Sequence, residues 1–260
     1  MKGPIVVREL RSPADFAATV EVSRAAWRYE DVMVSPPTDL IAATHSGGLT
    51  AGAYRGKRLV AFVHGVPRTN LPVPCQHSHL LAVHPDAQGL GLAAELKLFQ
   101  RRWCLERGIG LVTWTYDPFL LKNARLNMVR LRAAAEVFLP NFYGEMGGIY
   151  GNLPSDRFEI RWRLDDPTVE RAARSGNGGP PPFDGADLPV ATPRRVPSAA
   201  RVAVPFPADG LDSFRAEPAA GRRARRDFAT AVSTLFDRGY RAVWVVTLPV
   251  GGPAYVFARP

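Results

Sequence analysis

The sequence predicts an α/β (α+β) fold, and three observations lead there. Residues 77–107 read as a buried strand, a glycine turn and an amphipathic helix in direct succession. Strand and helix patterns are interleaved from Ile5 to Leu164 rather than gathered into separate blocks. Arg157 to Leu164 alternates, with Phe158, Ile160, Trp162 and Leu164 on one side, as a strand with one face in a core does.

The elements follow in order. Ile5 to Leu10 is a first strand. Ser12, Pro13 and Asp15 supply an N-cap, a first helical residue and a first-turn acid for a helix to Trp27. Pro36-Pro37 opens a short helix over Thr38 to Thr44, closed by Ser46-Gly47-Gly48. Leu49 to Tyr54 and Arg58 to Val66 are strands joined through Arg55-Gly56-Lys57. Pro67 to Pro74 is loop, and the strand at His77 stops at Pro85. After the glycine turn, Leu92, Leu96, Phe99 and Trp103 recur at helical spacing. Leu111 to Tyr116 is a β-rich strand, Phe119 to Ala133 is expected to be a helix, and Glu136 to Leu139 a strand. Pro140 to Pro154 reads as glycine-rich loop. Residues 165–200 show no core-forming pattern and read as a linker or arm. Beyond Arg201 come a short strand over 202–205, a helix from Phe228 to Arg238 before Gly239, and strands over Arg241 to Leu248 and Pro253 to Ala258.

Composition narrows the classes. With 260 residues, 46% hydrophobic and 22% charged, the chain can bury a full core. No apolar run approaches the ~20 residues of a membrane span, and no apolar segment follows Met1-Lys2-Gly3-Pro4, so a cytoplasmic protein without membrane attachment is expected. Two cysteines, Cys75 and Cys104, exclude a disulfide framework and a cysteine zinc site. The net charge of +9 suits a polyanionic ligand, but Arg222, Arg223, Arg225 and Arg226 lack the interleaved aromatics of a nucleic-acid surface.

The stretch from His77 to Arg107 carries the chemistry. A strand that turns through glycines into a helix start is an anion trap. The first helical N–H groups lack internal partners, the helix dipole adds positive charge, and glycine lets backbone approach a phosphate. The missing Gly-Lys-Ser/Thr excludes a P-loop, and the missing third glycine a dinucleotide fingerprint. The spacing Gln88-x-x-Gly91-x-Ala93, directly after Val83-His84-Pro85, resembles motif A of the GNAT (Gcn5-related N-acetyltransferase) superfamily. The order of elements over 5–164 is similar to that superfamily's. Asp117-Pro118, Asn123 to Asn127, Asn141-Phe142-Tyr143-Gly144 and Leu153 to Arg157 resemble a bacterial branch of its predicted members.

The resemblance implies a mixed, mostly antiparallel central sheet flanked by helices over 1–164; the residues beyond it read as a Pro/Gly-rich linker or arm over 165–200 and a small C-terminal α/β module over 201–260, expected to pack on the first domain. It implies an acyl-CoA cosubstrate, acetyl- or succinyl-CoA, and no metal. Carried over residue by residue, Leu81, Ala82 and Val83 line the pantetheine arm. Gln88, Gly89, Leu90, Gly91, Leu92 and Ala93 hold the pyrophosphate, and Asn123 faces the cofactor.

His77 and His79 lie two apart on a strand and share a face, and imidazole accepts a proton near neutral pH. They resemble the paired histidines of serotonin N-acetyltransferase and are the candidate base. The superfamily's usual tyrosine acid aligns with Met128, which cannot donate a proton; Tyr143 is the first substitute and Tyr116 a second. The expected function is acyl transfer to the amine of a small molecule, amino acids among the candidates, with a second copy of the chain as candidate partner and no nucleic acid. The alternative is a non-catalytic CoA-binding regulatory or interaction protein. Arg125 and Arg130 are candidate carboxylate contacts on what is otherwise a solvated helix face.

Overall fold

The computed structural model describes residues 3–147, 150, 153–176, 178–179, 187–208 and 210–259. The chain forms two compact units. Unit 1 comprises 1–114 and 163–165, and unit 2 comprises 115–162 and 166–260.

Unit 1 holds β1 (Ile5–Glu9), α1 (Pro13–Trp27), α2 (Pro37–His45), β2 (Leu49–Arg55), β3 (Arg58–Arg68), β4 (Cys75–Val83), α3 (Leu92–Leu105) and most of β5 (Leu111–Tyr116). Its strands are ordered β1-β2-β3-β4-β5, antiparallel except for the parallel β4–β5 pair. Helix α1 starts where its residues require. Ser12 accepts the Asp15 N–H, and Asp15 accepts the Ser12 N–H, a reciprocal capping box. Phe16 and Val22 of α1, Leu40 of α2 and Leu10, Tyr54, Leu59, Phe62 and Ala82 from the sheet side form one core, against which Leu80 packs.

Unit 2 holds the end of β5, α4 (Leu121–Ala124) running into a π-helical turn (Arg125–Arg130), β6 (Ala134–Leu139), a small hairpin of β7 (Glu145–Met146) and β8 (Leu153–Pro154), and β9 (Arg157–Arg163). α5 (Pro167–Ser175), β10 (Arg201–Pro205), α6 (Gly210–Ala216), α7 (Pro218–Asp237), β11 (Arg241–Leu248) and β12 (Gly252–Ala258) complete it. Its strand order is β9-β6-β11-β12-β10, and the β9–β6, β6–β11, β11–β12 and β12–β10 pairs are antiparallel. The expected mixed, mostly antiparallel α/β architecture is thus the one observed.

Several elements differ from their expectation: α6 is not among the expected elements, α7 starts at Pro218 rather than Phe228, and the β7–β8 hairpin lies in the expected loop 140–154. The helix expected over Phe119 to Ala133 is four α-helical residues followed by the π turn. The Phe119 N–H is taken by the Asp117 carboxylate, and Leu131 reaches back to the Leu126 carbonyl, so the helix starts late and widens. The stretch 165–200 contains α5. Asp166 caps Thr168 and Val169, Pro167 stands at the first position, and only Val169 and Ala172 are buried, too few to register as a core pattern. Asn177 and residues 180–186 of that stretch lie outside the described residues. The boundary between the two units falls within β5. The pairing of Ala242 with Ala135 joins the C-terminal strands to β6 and so into one sheet with β9, a link that chain order does not reveal.

Candidate active site in unit 1

The glycine turn has the geometry of an anion trap. Gly89 and Gly91 adopt φ of 81° and 78°, where a side chain is strained, and a Cβ at either would meet open space. Gly91 is the N-cap of α3 and offers no side chain to cap it. The Gly91 carbonyl accepts the Ala94 and Glu95 N–H groups. The amides of Gly89, Leu90, Gly91, Leu92 and Ala93 donate to no backbone carbonyl among the described residues. Gln88 folds back, its side-chain amide 3.4 Å from the Val83 carbonyl, and ties the turn to the end of β4. His84 Nδ1 accepts the Asp86 N–H, and its Nε2 lies 3.0 Å from Arg58.

Strand β4 presents two different faces. Toward α3, Gln76 and Ser78 meet Lys97, Gln100 and Cys104, residues three and four apart on one helix face. Gln100 donates to the Gln76 side-chain carbonyl at 2.6 Å, and Lys97 donates to Ser78 at 2.7 Å. Glycine at 65 makes this contact fit, since a Cβ there would lie 2.5 Å from Gln76 Oε1.

The other face carries a row of imidazoles. His64 pairs with Leu80 and Gly65 with Ser78, so His79 is the extra residue of a β-bulge. The His77 and His79 ring centroids are 6.3 Å apart, and those of His64 and His79 6.5 Å. His64 is the member that sequence reading missed. The signal was available: β3 and β4 are neighbouring strands, and an alternating β3 puts position 64 on a definite face, but only the pairing register says which. His64 Nδ1 lies 2.8 Å from the Thr50 hydroxyl, which in turn is 2.7 Å from that of Thr44. His77 Nδ1 lies 3.2 Å from the Thr113 hydroxyl, to which Arg68 donates at 3.0 Å.

Burial, then the neighbouring His79, lowers His64 to a pKa of about 4. Burial, then His79, Arg68 and Lys97, lowers His77 to about 4. His79 is exposed at its tip yet sits among enclosing neighbours, and their desolvation lowers its pKa too. All three are therefore neutral at pH 7, the state that accepts protons. Among the described residues no group of three or more His, Cys, Asp or Glu side chains is placed to hold a metal ion.

The remaining candidates fall in unit 2. Asn123 is half-buried in α4. Tyr143 is exposed, with its hydroxyl 3.3 Å from that of Thr115 and its ring over Arg157. Tyr116 is buried, donates to Tyr255 at 3.1 Å, and has its pKa raised by burial, the position of a core residue. Met128 is fully buried. Arg225, from the arginine run at 222–226, is buried 2.7 Å from Asp117.

Strand, glycine turn, helix start and unpaired amides thus stand together on a mostly antiparallel sheet, an arrangement whose chemistry suits an anion. Residues 16–126 match the acetyltransferase (GNAT) family model, so that stretch of the chain is similar to GNAT domains. No curated protein matches the chain in sequence. Similar solved structures include the ribosomal-protein-S18-alanine N-acetyltransferase of Escherichia coli, at 14% identity and TM-score 0.51, covering 62% of this chain and 94% of that one. The yncA protein of Salmonella typhimurium, solved with its cofactor acetyl-CoA, shows 17% identity and TM-score 0.51 over 62% of this chain and 95% of that one. The ribosomal-protein-alanine N-acetyltransferase of Brucella melitensis shows 13% identity and TM-score 0.50 over 61% and 99%. At these identities the likeness is one of fold.

Proposed function

We propose that the chain is an acyl-CoA-dependent N-acyltransferase, with acetyl- or succinyl-CoA as donor and the amine of a small molecule, amino acids included, as acceptor. The observation that carries this reading is the run of unpaired amides from Gly89 to Ala93 at the start of α3. Five N–H groups, two left-handed glycines without obstructing neighbours and the positive end of a 14-residue helix suit a pyrophosphate. The group they would hold supplies an activated acyl thioester.

The chain's own residues do the rest. Backbone along Leu81, Ala82 and Val83 orients the pantetheine arm beside the bulge. One neutral imidazole of the pair His77 and His79 accepts the amine proton, which frees the lone pair for attack. Tyr143, exposed and able to donate, is the proposed acid for the leaving thiolate. The buried Met128, where the superfamily often has tyrosine, favours a second reading as a CoA-binding regulatory protein.

The test is thermal melting with CoA, acetyl-CoA and succinyl-CoA, followed by a screen of primary amines for thiol release. A ligand at 100 times its Kd adds about 2.7 kcal/mol. A shift with thiol release supports the enzyme, a shift without release for any amine supports the regulatory reading, and no shift with any CoA species sinks both.

A further inference from the structure

The two histidines of β4 are not equivalent, and the difference lies in the hydroxyl of Thr113. Thr113 is fully buried, and a buried hydroxyl finds an acceptor for its proton. Arg68 is a donor only, so its bond at 3.0 Å occupies a lone pair on Thr113 Oγ1 and leaves the hydroxyl proton free. Among the described residues the other side-chain partner of that hydroxyl is His77 Nδ1, at 3.2 Å. The hydroxyl therefore donates to Nδ1. A neutral imidazole that accepts at Nδ1 carries its proton on Nε2.

We infer that Arg68 and Thr113 fix His77 as the Nε2–H tautomer, a hydrogen-bond donor, and that His79 is the proton acceptor of the pair. Two further facts agree. Burial disfavours a cation on His77, and the nearby Arg68 charge disfavours it further. His79 is the exposed member of the row, and its ring makes no hydrogen bond among the described residues, whereas His64 and His77 each have Nδ1 tied to a threonine. In the reaction an N–H bond of the acceptor ammonium breaks and an N–H bond forms on His79, leaving the amine its lone pair. His77 gains no proton. Its Nε2–H stays directed by the Thr113 bond, so Thr113 and Arg68 are positioning residues. The assignment of the tautomer stands on geometry alone; the acceptor role of His79 rests on the acyltransferase reading.

The experiment is nitrogen-15 NMR of the full-length chain labelled at histidine, at pH 7.5. The expected spectrum shows His77 bare at Nδ1 and protonated at Nε2. Thr113→Val, with signal dispersion confirming its fold, brings in an Nδ1–H population, and Thr113→Ser restores the original tautomer. A His77 protonated at Nδ1 in the wild type overturns the inference. A second arm measures thiol release from acetyl-CoA with amino acids and small primary amines. His79→Gln is expected to lose at least about 100-fold, the low end for a proton-transfer group. His77→Gln retains an amide N–H and is expected to stay within about tenfold; the reverse order overturns the division of roles. The expected spectrum without acyl transfer to any amine overturns the acyltransferase reading and the role of His79 with it, and leaves the tautomer confirmed.

Discussion

Lys97 offers the sharpest quantitative test of how α3 packs on β4. Its side chain is 1% exposed, its Nζ donates to Ser78 at 2.7 Å and Gln100 at 3.2 Å, and it lies 3.7 Å from the centre of the Trp114 ring. No carboxylate forms an ion pair with it among the described residues, and the Cys104 thiol, pushed up to about 12 by burial, stays protonated. Burial lowers the Lys97 amine from 10.5 to about 7. The sign follows from linkage. Between pH 7 and 10.5 the unfolded chain holds a proton that the folded amine has released. Stability therefore rises with pH through that window and is lowest once the buried amine is charged, below pH 7. From pH 7 to 9 the gain is about 2 kcal/mol. Lys97→Met keeps the length and removes the titration, while Ser78 and Gln100 lose a donor at every pH. Urea unfolding of both proteins at pH 7, 8 and 9, followed by tryptophan fluorescence, isolates the amine. The stability difference between wild type and variant is expected to move by about 2 kcal/mol in favour of the wild type across the series. Parallel pH profiles would refute the burial of an uncompensated amine.

His64→Gln tests the imidazole row from the acid side. His64 titrates at about 4 when folded against 6.5 unfolded, so the wild type loses stability as pH falls through that window, by about 2 kcal/mol between pH 7 and 5, and the variant does not; acid melts of the two compare them. Gly91→Val places a branched side chain at φ 78°, costing about 1–2 kcal/mol of stability and abolishing any CoA-induced rise in Tm. Arg225→Met leaves Asp117 buried beside Arg157 alone at 3.4 Å, and should cost about 3 kcal/mol in urea unfolding. Ser12→Ala removes the α1 cap and should cost about 1 kcal/mol, read as a lower Tm.

Much of this protein is written in short-range chemistry. Ser12-Pro13-x-Asp15 starts α1 at Pro13, and Gly89 and Gly91 turn the chain into α3, because capping and left-handed φ depend on residues a few positions apart. Period-2 alternation likewise placed β9, and the glycines at 89 and 91 located the turn into α3. What depends on partners distant in sequence was decided by the folded chain. His64 joins His77 and His79 through the β3–β4 register, with one extra residue at 79 setting which side chains meet. Arg225, 108 residues from Asp117, forms a buried ion pair that nothing in the local arginine run signals. The late, widened helix at 121–130 follows from Asp117 capturing the Phe119 N–H. The tautomer of His77 depends on Thr113 from β5 and Arg68 from β3, held within hydrogen-bonding reach by packing alone. A hydrogen bond acts over about 3 Å, and only the tertiary fold brings residues 68, 77 and 113 within that distance.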